Sequence, residues 1–230
     1  MKPADLIEGI ALADLAMTWA GVLSCLLIWK WLISSLKWLW GYLLSVGIIE
    51  LTAKLYVYEW LEGSNLYLFH IYTVLEFALL AWMYTRIFSR RMSKVLKVFL
   101  LLAFFSVAAY SIAHLALNNW SPETFQTYHK LLVNGTLAGL ALTFFIQSLK
   151  EPTRYLDHFH ALGYANSGIL LYFIGSFIIF LIMNQMVSSD LSKVMYLWII
   201  HALLTFIFHL TCIIALWQKD SRLTKISPYG

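Results

Sequence analysis

The segment MYLWIIHALLTFIFHLTCIIALW, residues 195–217, runs for 23 residues without an Asp, Glu, Lys or Arg. A helix that crosses a bilayer needs about 20 predominantly apolar residues, so this stretch is long enough to span. Six further long apolar segments precede it, at residues 10–29, 38–55, 66–84, 98–115, 131–149 and 167–186. Charged residues make up only 12% of the chain and apolar ones 61%, against about 25% charged in a soluble domain. The expected fold is all-α, a polytopic membrane bundle of seven transmembrane helices forming a single domain over residues 1–230. No repeat, low-complexity tract or linker divides it.

The basic residues set the expected orientation, because Lys and Arg favour the cytoplasmic side. With the N-terminus outside, Lys2, Lys54, Lys130 and Lys193 are external, and the other twelve of the 16 Lys and Arg residues are cytoplasmic. The reverse orientation would put most of the positive charge outside. The N-terminus is therefore expected out and the C-terminus in. Trp31, Trp38, Trp40 and Trp217 then fall at the inner boundary, with Tyr56, Tyr58, Trp60 and Trp120 at the outer one, where amphipathic rings are favoured. The N-terminus is acidic and no small-residue cleavage site follows the first apolar run, so that run is expected to stay as a span.

The net charge of +4 is accounted for by topology and gives no nucleic-acid signal. The cluster Arg86, Arg90, Arg91, Lys94 and Lys97 reads as a topology determinant that attracts anionic lipid headgroups. A docking patch for a cytoplasmic partner is the alternative. Cys25 and Cys212 lie within spans and point to no disulfide. The triplet Asn119-Trp120-Ser121 is a formal glycosylation acceptor, and Asp157-His158-Phe159-His160 reads as solvated loop rather than a metal site.

Polar groups inside a span are costly and call for a partner or a purpose. Several collect in the expected outer half: Glu50, His70, Thr73, Glu76, Asn134 and His201, with Asp14 a further candidate. On the third span His70 and Glu76 lie roughly 120° apart, with Thr73 midway and Glu76 about 9 Å deeper. An unpaired carboxylate at that depth is costly, so Glu76 is expected to be protonated or held by neighbours such as Thr73 or Tyr72. His201, Thr205 and His209 form one stripe on the seventh span, with His209 deeper and read as a packing residue. Glu50 and Lys54, four apart, can instead simply pair, and Asp14 can precede the first span and touch water. Ser167, Gly168, Gly175 and Ser176 suit close helix approach, and Tyr172 and Asn184 on the same segment can line an interior. The candidate ligand-binding set is His70, Thr73, Glu76, Glu50, Asn134, Tyr172 and His201, with no metal or cofactor expected. The alternative is a zinc site made by His70, His201, Glu50 and Glu76.

A retinal protein needs a Schiff-base lysine in its last span, and residues 195–217 contain none. The seven-span zinc hydrolases of the alkaline-ceramidase and adiponectin-receptor kind carry H-x-x-x-H in their last span. Here the two last-span histidines are eight apart. The run from Leu66 to Phe77 (LYLFHIYTVLEF), the run from Asn166 to Gly175 (NSGILLYFIG) and Leu197-Trp198-Ile199-Ile200-His201 resemble a family of uncharacterised bacterial seven-helix inner-membrane proteins. The resemblance runs from the second span to the seventh. It rests on H-x-Y-T-x-x-E-F, S-G-x-L-x-Y-x-x-G and I-I-H; the position of Thr205 is more often Asn in that family. It implies that His70, Glu76 and His201 form one site and that the chain lies in a bacterial inner membrane, and it carries no reaction.

Two function classes remain. The first is a receptor-like or sensory protein that binds a small ligand, cation or proton in an outer-half polar cavity and signals to a cytoplasmic partner. The second is an intramembrane zinc-dependent hydrolase acting on a lipid. Proton transport through Glu76 ranks third, since the chain has neither broken helices nor a two-fold repeat. Membrane lipid is a partner in every case.

Overall fold

The computed structural model describes residues 3–55, 66–88, 92–117, 128–151, 159–186 and 191–218. Those residues form seven α-helices: α1 (Pro3–Leu27), α2 (Leu36–Leu55), α3 (Leu66–Ile87), α4 (Lys94–Leu117), α5 (Tyr128–Lys150), α6 (Phe159–Met186) and α7 (Leu191–Trp217). A short 3-10 turn, Trp29–Trp31, joins α1 to α2. Among the described residues there is no strand. All-helical structure is what an apolar solvent imposes, because a helix satisfies its backbone N–H and C=O groups within one segment.

Six of the helices, all but α2, are long and apolar enough to cross a membrane. In α2 the apolar run is interrupted by Lys37, Glu50 and Lys54. The outer faces of the bundle are apolar as well as its core. On α4, Leu102 is 62% exposed and Phe105 63%. A continuous surface of this kind is an aggregation hazard in water and an ordinary surface in lipid. The chain is thus a helical bundle of the integral-membrane type.

Neighbours in sequence are mostly neighbours in space. α1 packs on α2, α2 on α3, α5 on α6 and α6 on α7, and α7 returns to α1, closing a ring. α3 also touches α5 directly, so α4, packed on α3 and α5, sits outside the ring. Small residues set the closest approaches. A methyl group added at Gly168 would overlap the Thr211 side chain of α7, and one at Gly175 would meet Leu204 Cδ1 at 2.5 Å. Gly21 on α1 meets Ile213 of α7 in the same way. These backbones approach because no Cβ stands between them. At one end of the bundle, indole N–H groups tie the helices: Trp40 donates to the Val22 carbonyl at 3.1 Å and Trp217 to Ser24 Oγ at 3.2 Å.

Several sequence expectations fall outside the described residues. They include Lys2, the outer aromatics Tyr56, Tyr58, Trp60 and Trp120, the basic Arg90 and Arg91, the triplet 119–121, Asp157 and His158, and the side chains of Trp31, Asn184 and Lys193. His160 lies inside the first turn of α6 rather than in a loop.

Candidate functional site

The site is built outward from α3. Tyr72 and Glu76 are four residues apart, so they share one helix face. The Tyr72 hydroxyl donates to Glu76 Oε1 at 2.6 Å. Lys130, near the start of α5, forms an ion pair with Glu76 Oε2. Both residues are only 1% exposed. The Lys130 ammonium also lies 4.7 Å from the centre of the Tyr72 ring and 6.0 Å from that of Phe69. A charge so deeply buried is stable only when paired and hydrogen-bonded, and Lys130 has both a carboxylate and two aromatic faces.

The series continues across the bundle. The Tyr42 hydroxyl of α2 lies 3.1 Å from that of Tyr72 and 3.2 Å from His209 Nε2 of α7. His209 Nδ1 lies 2.9 Å from Asp14 of α1. Asp14, Tyr42 and His209 are all buried. The donors can be assigned by counting protons. Tyr72 gives its single proton to Glu76, so Tyr42 must donate to the Tyr72 oxygen. Tyr42 then has no proton left for His209, so His209 Nε2–H donates to Tyr42. A second proton is held between His209 Nδ1 and the Asp14 carboxylate. The result is one directed series, Asp14–His209–Tyr42–Tyr72–Glu76–Lys130, drawn from α1, α7, α2, α3 and α5.

Above this series lies a cavity of about 360 Å³, into which Asp14, Tyr72 and Lys130 all project. Its lining comes from the early parts of α1, α3, α5 and α7 and the later parts of α2 and α6. The cavity therefore sits toward the end of the bundle where the odd-numbered helices begin. Glu50 stands on its α2 wall; His201 and Trp198 stand on α7, and Tyr172 and Phe180 on α6. On the far side of the series the interior closes on buried Leu36, Leu39, Phe88 and Phe144. Tyr84 hydrogen-bonds the Asn166 side chain there, and Asn166 Nδ2 donates to the Ala141 carbonyl at 2.9 Å.

The sequence-derived candidates divide into groups. Glu50, Tyr172 and His201 line the cavity, and Glu76 anchors its floor through Lys130. Of the two neighbours expected to hold Glu76, Tyr72 does so; the Thr73 hydroxyl donates instead to the Phe69 carbonyl of its own helix at 2.8 Å. Asn134 is fully buried one turn below Lys130, and its amide has no hydrogen-bond partner among the described residues. His70 lies elsewhere, its ring stacked 4.9 Å from His114 of α4 and 4.8 Å from His129 of α5. His201 belongs to a different cluster, with ring centres 5.3 Å from Phe180 and 5.5 Å from Trp198. Among the described residues no group of three or more His, Cys, Asp or Glu side chains takes a metal-holding arrangement. The zinc set His70, His201, Glu50 and Glu76 is not brought together, and Glu76 is already engaged by Lys130 and Tyr72.

Sequence reading missed Lys130, Tyr42, His114 and His129, and took His209 for packing. An apolar segment that begins at residue 131 leaves Lys130 in a loop, whereas α5 starts at Tyr128. A signal was present: Lys130, Asn134, Leu137, Ala141, Phe144 and Ser148 recur every three or four residues and are all buried. That is the spacing of one interior helix face. Asp14, expected as either a span residue or a water-exposed one, lies within α1 and is buried. Glu50 makes no ion pair with Lys54 within the described residues.

Comparison with protein-family models, with curated proteins and with solved structures gives no match for this chain.

Proposed function

We propose that this chain is a receptor-like membrane protein whose interior cavity binds a small ligand. The single observation that carries the reading is the cavity floor. Asp14, Tyr72 and Lys130 face the cavity, and the series linking them is anchored in five helices. A ligand that draws Lys130 away from Glu76, or changes the proton held by Asp14 and His209, must alter how those helices are tied. Buried ion pairs are all-or-none in this respect, because a partly broken pair leaves an uncompensated charge. A polar series that ends at a packed apolar core suits signalling better than conduction.

The finer reading is seven spans with the N-terminus out, in a bacterial inner membrane. Its support is the distribution of Lys and Arg and the resemblance given above. Moving Lys130 from the external count into the interior sharpens the bias. The cavity then faces outward, and the basic segment between α3 and α4 and the C-terminal tail supply the cytoplasmic output.

The test is a bimane fluorophore on Ser34→Cys, an exposed position between α1 and α2 at the end away from the cavity. Both native cysteines are buried, so labelling is selective. Purified protein is screened with amines, carboxylates and sugars. Expected is a ligand class that raises the unfolding temperature and changes bimane emission, with the emission change lost in Glu76→Gln. Solute uptake by proteoliposomes, or zinc-dependent release of fatty acid from phospholipid, with bimane emission unchanged would overturn the proposal.

A further inference from the structure

Resting on the cavity being the ligand site, we propose that its ligand is a small organic ammonium ion. Glu50 supplies the counter-charge, and Trp198, Phe180 and His201 supply the aromatic face.

The charges on the cavity wall and floor decide the sign. Glu76 is matched by Lys130. Asp14 is matched by the proton it holds with His209. Glu50 has no such match: among the described residues it makes neither a hydrogen bond nor an ion pair, although it lines the cavity. Glu50 is thus the acidic side chain lining the cavity that has no contacting partner among the described residues; an unpaired carboxylate in such surroundings is costly, and a cation that supplies the counter-charge is favoured.

The walls decide what kind of cation. Calcium or magnesium takes six or more oxygen ligands in a cage of carboxylates, carbonyls and waters. This cavity offers Glu50 and an Asp14 already engaged by His209, amid mainly apolar walls. Lining the same cavity, Trp198 lies 6.3 Å from Phe180 and 5.5 Å from His201, ring centre to ring centre. Tryptophan is the strongest aromatic partner for a cation, and clusters of rings recognise alkylammonium groups. His201 Nε2 has no hydrogen-bond partner among the described residues, so it can accept an ammonium N–H when Nδ1 carries the ring proton. The volume of about 360 Å³ suits a small organic molecule.

The protein already treats one ammonium this way. Lys130 Nζ rests between the Glu76 carboxylate and the rings of Tyr72 and Phe69. Glu50 and the Trp198 cluster bring the same two kinds of group, a carboxylate and aromatic rings, to the lining of one cavity.

The experiment measures binding to purified full-length protein by titration calorimetry. The probes are phenethylamine, its trimethylammonium analogue and the neutral phenethyl alcohol. Expected is saturable binding of the two cations and none of the alcohol. Glu50→Gln should weaken cation binding about tenfold or more, as expected for loss of a desolvated charge partner, while Glu50→Asp retains much of it. Because Glu50 is unpaired, Glu50→Gln should keep the wild-type unfolding transition, which is checked in parallel. Equal binding of the alcohol, an unchanged affinity in Glu50→Gln, or no saturable binding of either cation at millimolar concentration would each overturn the inference. If the cations bind but leave the Ser34→Cys bimane silent, the receptor reading fails and the ligand class stands.

Discussion

Tyr42 has one hydroxyl proton and two polar neighbours, and that count orders the whole interior series. Replacing it with Phe removes the donor to Tyr72 and leaves the His209 Nε2–H buried without an acceptor. An orphaned buried donor costs about 1–3 kcal/mol. Tyr42→Phe should therefore lower stability by that order in a denaturant titration of the purified protein, with the helix content of the folded state unchanged. Glu50→Gln should behave in the opposite way. Glu50 has no hydrogen-bond or ion-pair partner to lose among the described residues, so the change should leave stability equal or higher. A loss above about 1 kcal/mol, the scale of an ordinary hydrogen bond, would mean that Glu50 has a partner after all.

At the scale of the helices, close packing rests on glycine. Gly168 and Gly175 lie seven residues apart on one face of α6, against Thr211 and Leu204 of α7. Gly168→Ala forces its methyl into the Thr211 side chain, and overpacking of this kind costs about 1–3 kcal/mol. Gly139, with nothing within 4 Å of an added methyl, is the control. Gly139→Ala should be neutral or slightly stabilising in the same unfolding measurement, since Ala also favours the helix.

The helices themselves were largely legible in the sequence, because span length is fixed by bilayer thickness. Their ends were less so. α1 begins at Pro3, seven residues before its apolar run, and α5 begins at Tyr128. Polar groups near a helix end were therefore read as loop. Depth could be counted from the sequence; direction around the bundle was harder to read, because these helices are apolar on their outer faces as well as their buried ones, so polarity does not mark the inward face. That is why Glu76 and Tyr72 were linked correctly within α3, whereas Lys130, His209 and Tyr42 needed the ring of helices to bring them together. His70 and His201 face different neighbours.

For the molecule as a whole, the ring α1–α2–α3–α5–α6–α7 encloses the cavity, and α4 stands outside it. Insertion in the proposed sense places the cavity on the outer side. A reporter fused after Gly230 should be active on the cytoplasmic side; activity on the opposite side would invert the membrane topology. The most direct measurement concerns the pair at the cavity floor. Removing one member of a buried ion pair costs about 3–5 kcal/mol, whereas replacing both by apolar residues is often near neutral. A double-mutant cycle of Glu76→Met and Lys130→Met, read by reversible unfolding in mixed micelles, should show two costly single changes and a double variant well above their sum in stability. If Lys130→Met costs less than about 0.5 kcal/mol, as a solvated surface lysine would, Lys130 does not pair with Glu76 and the cavity floor described here does not exist.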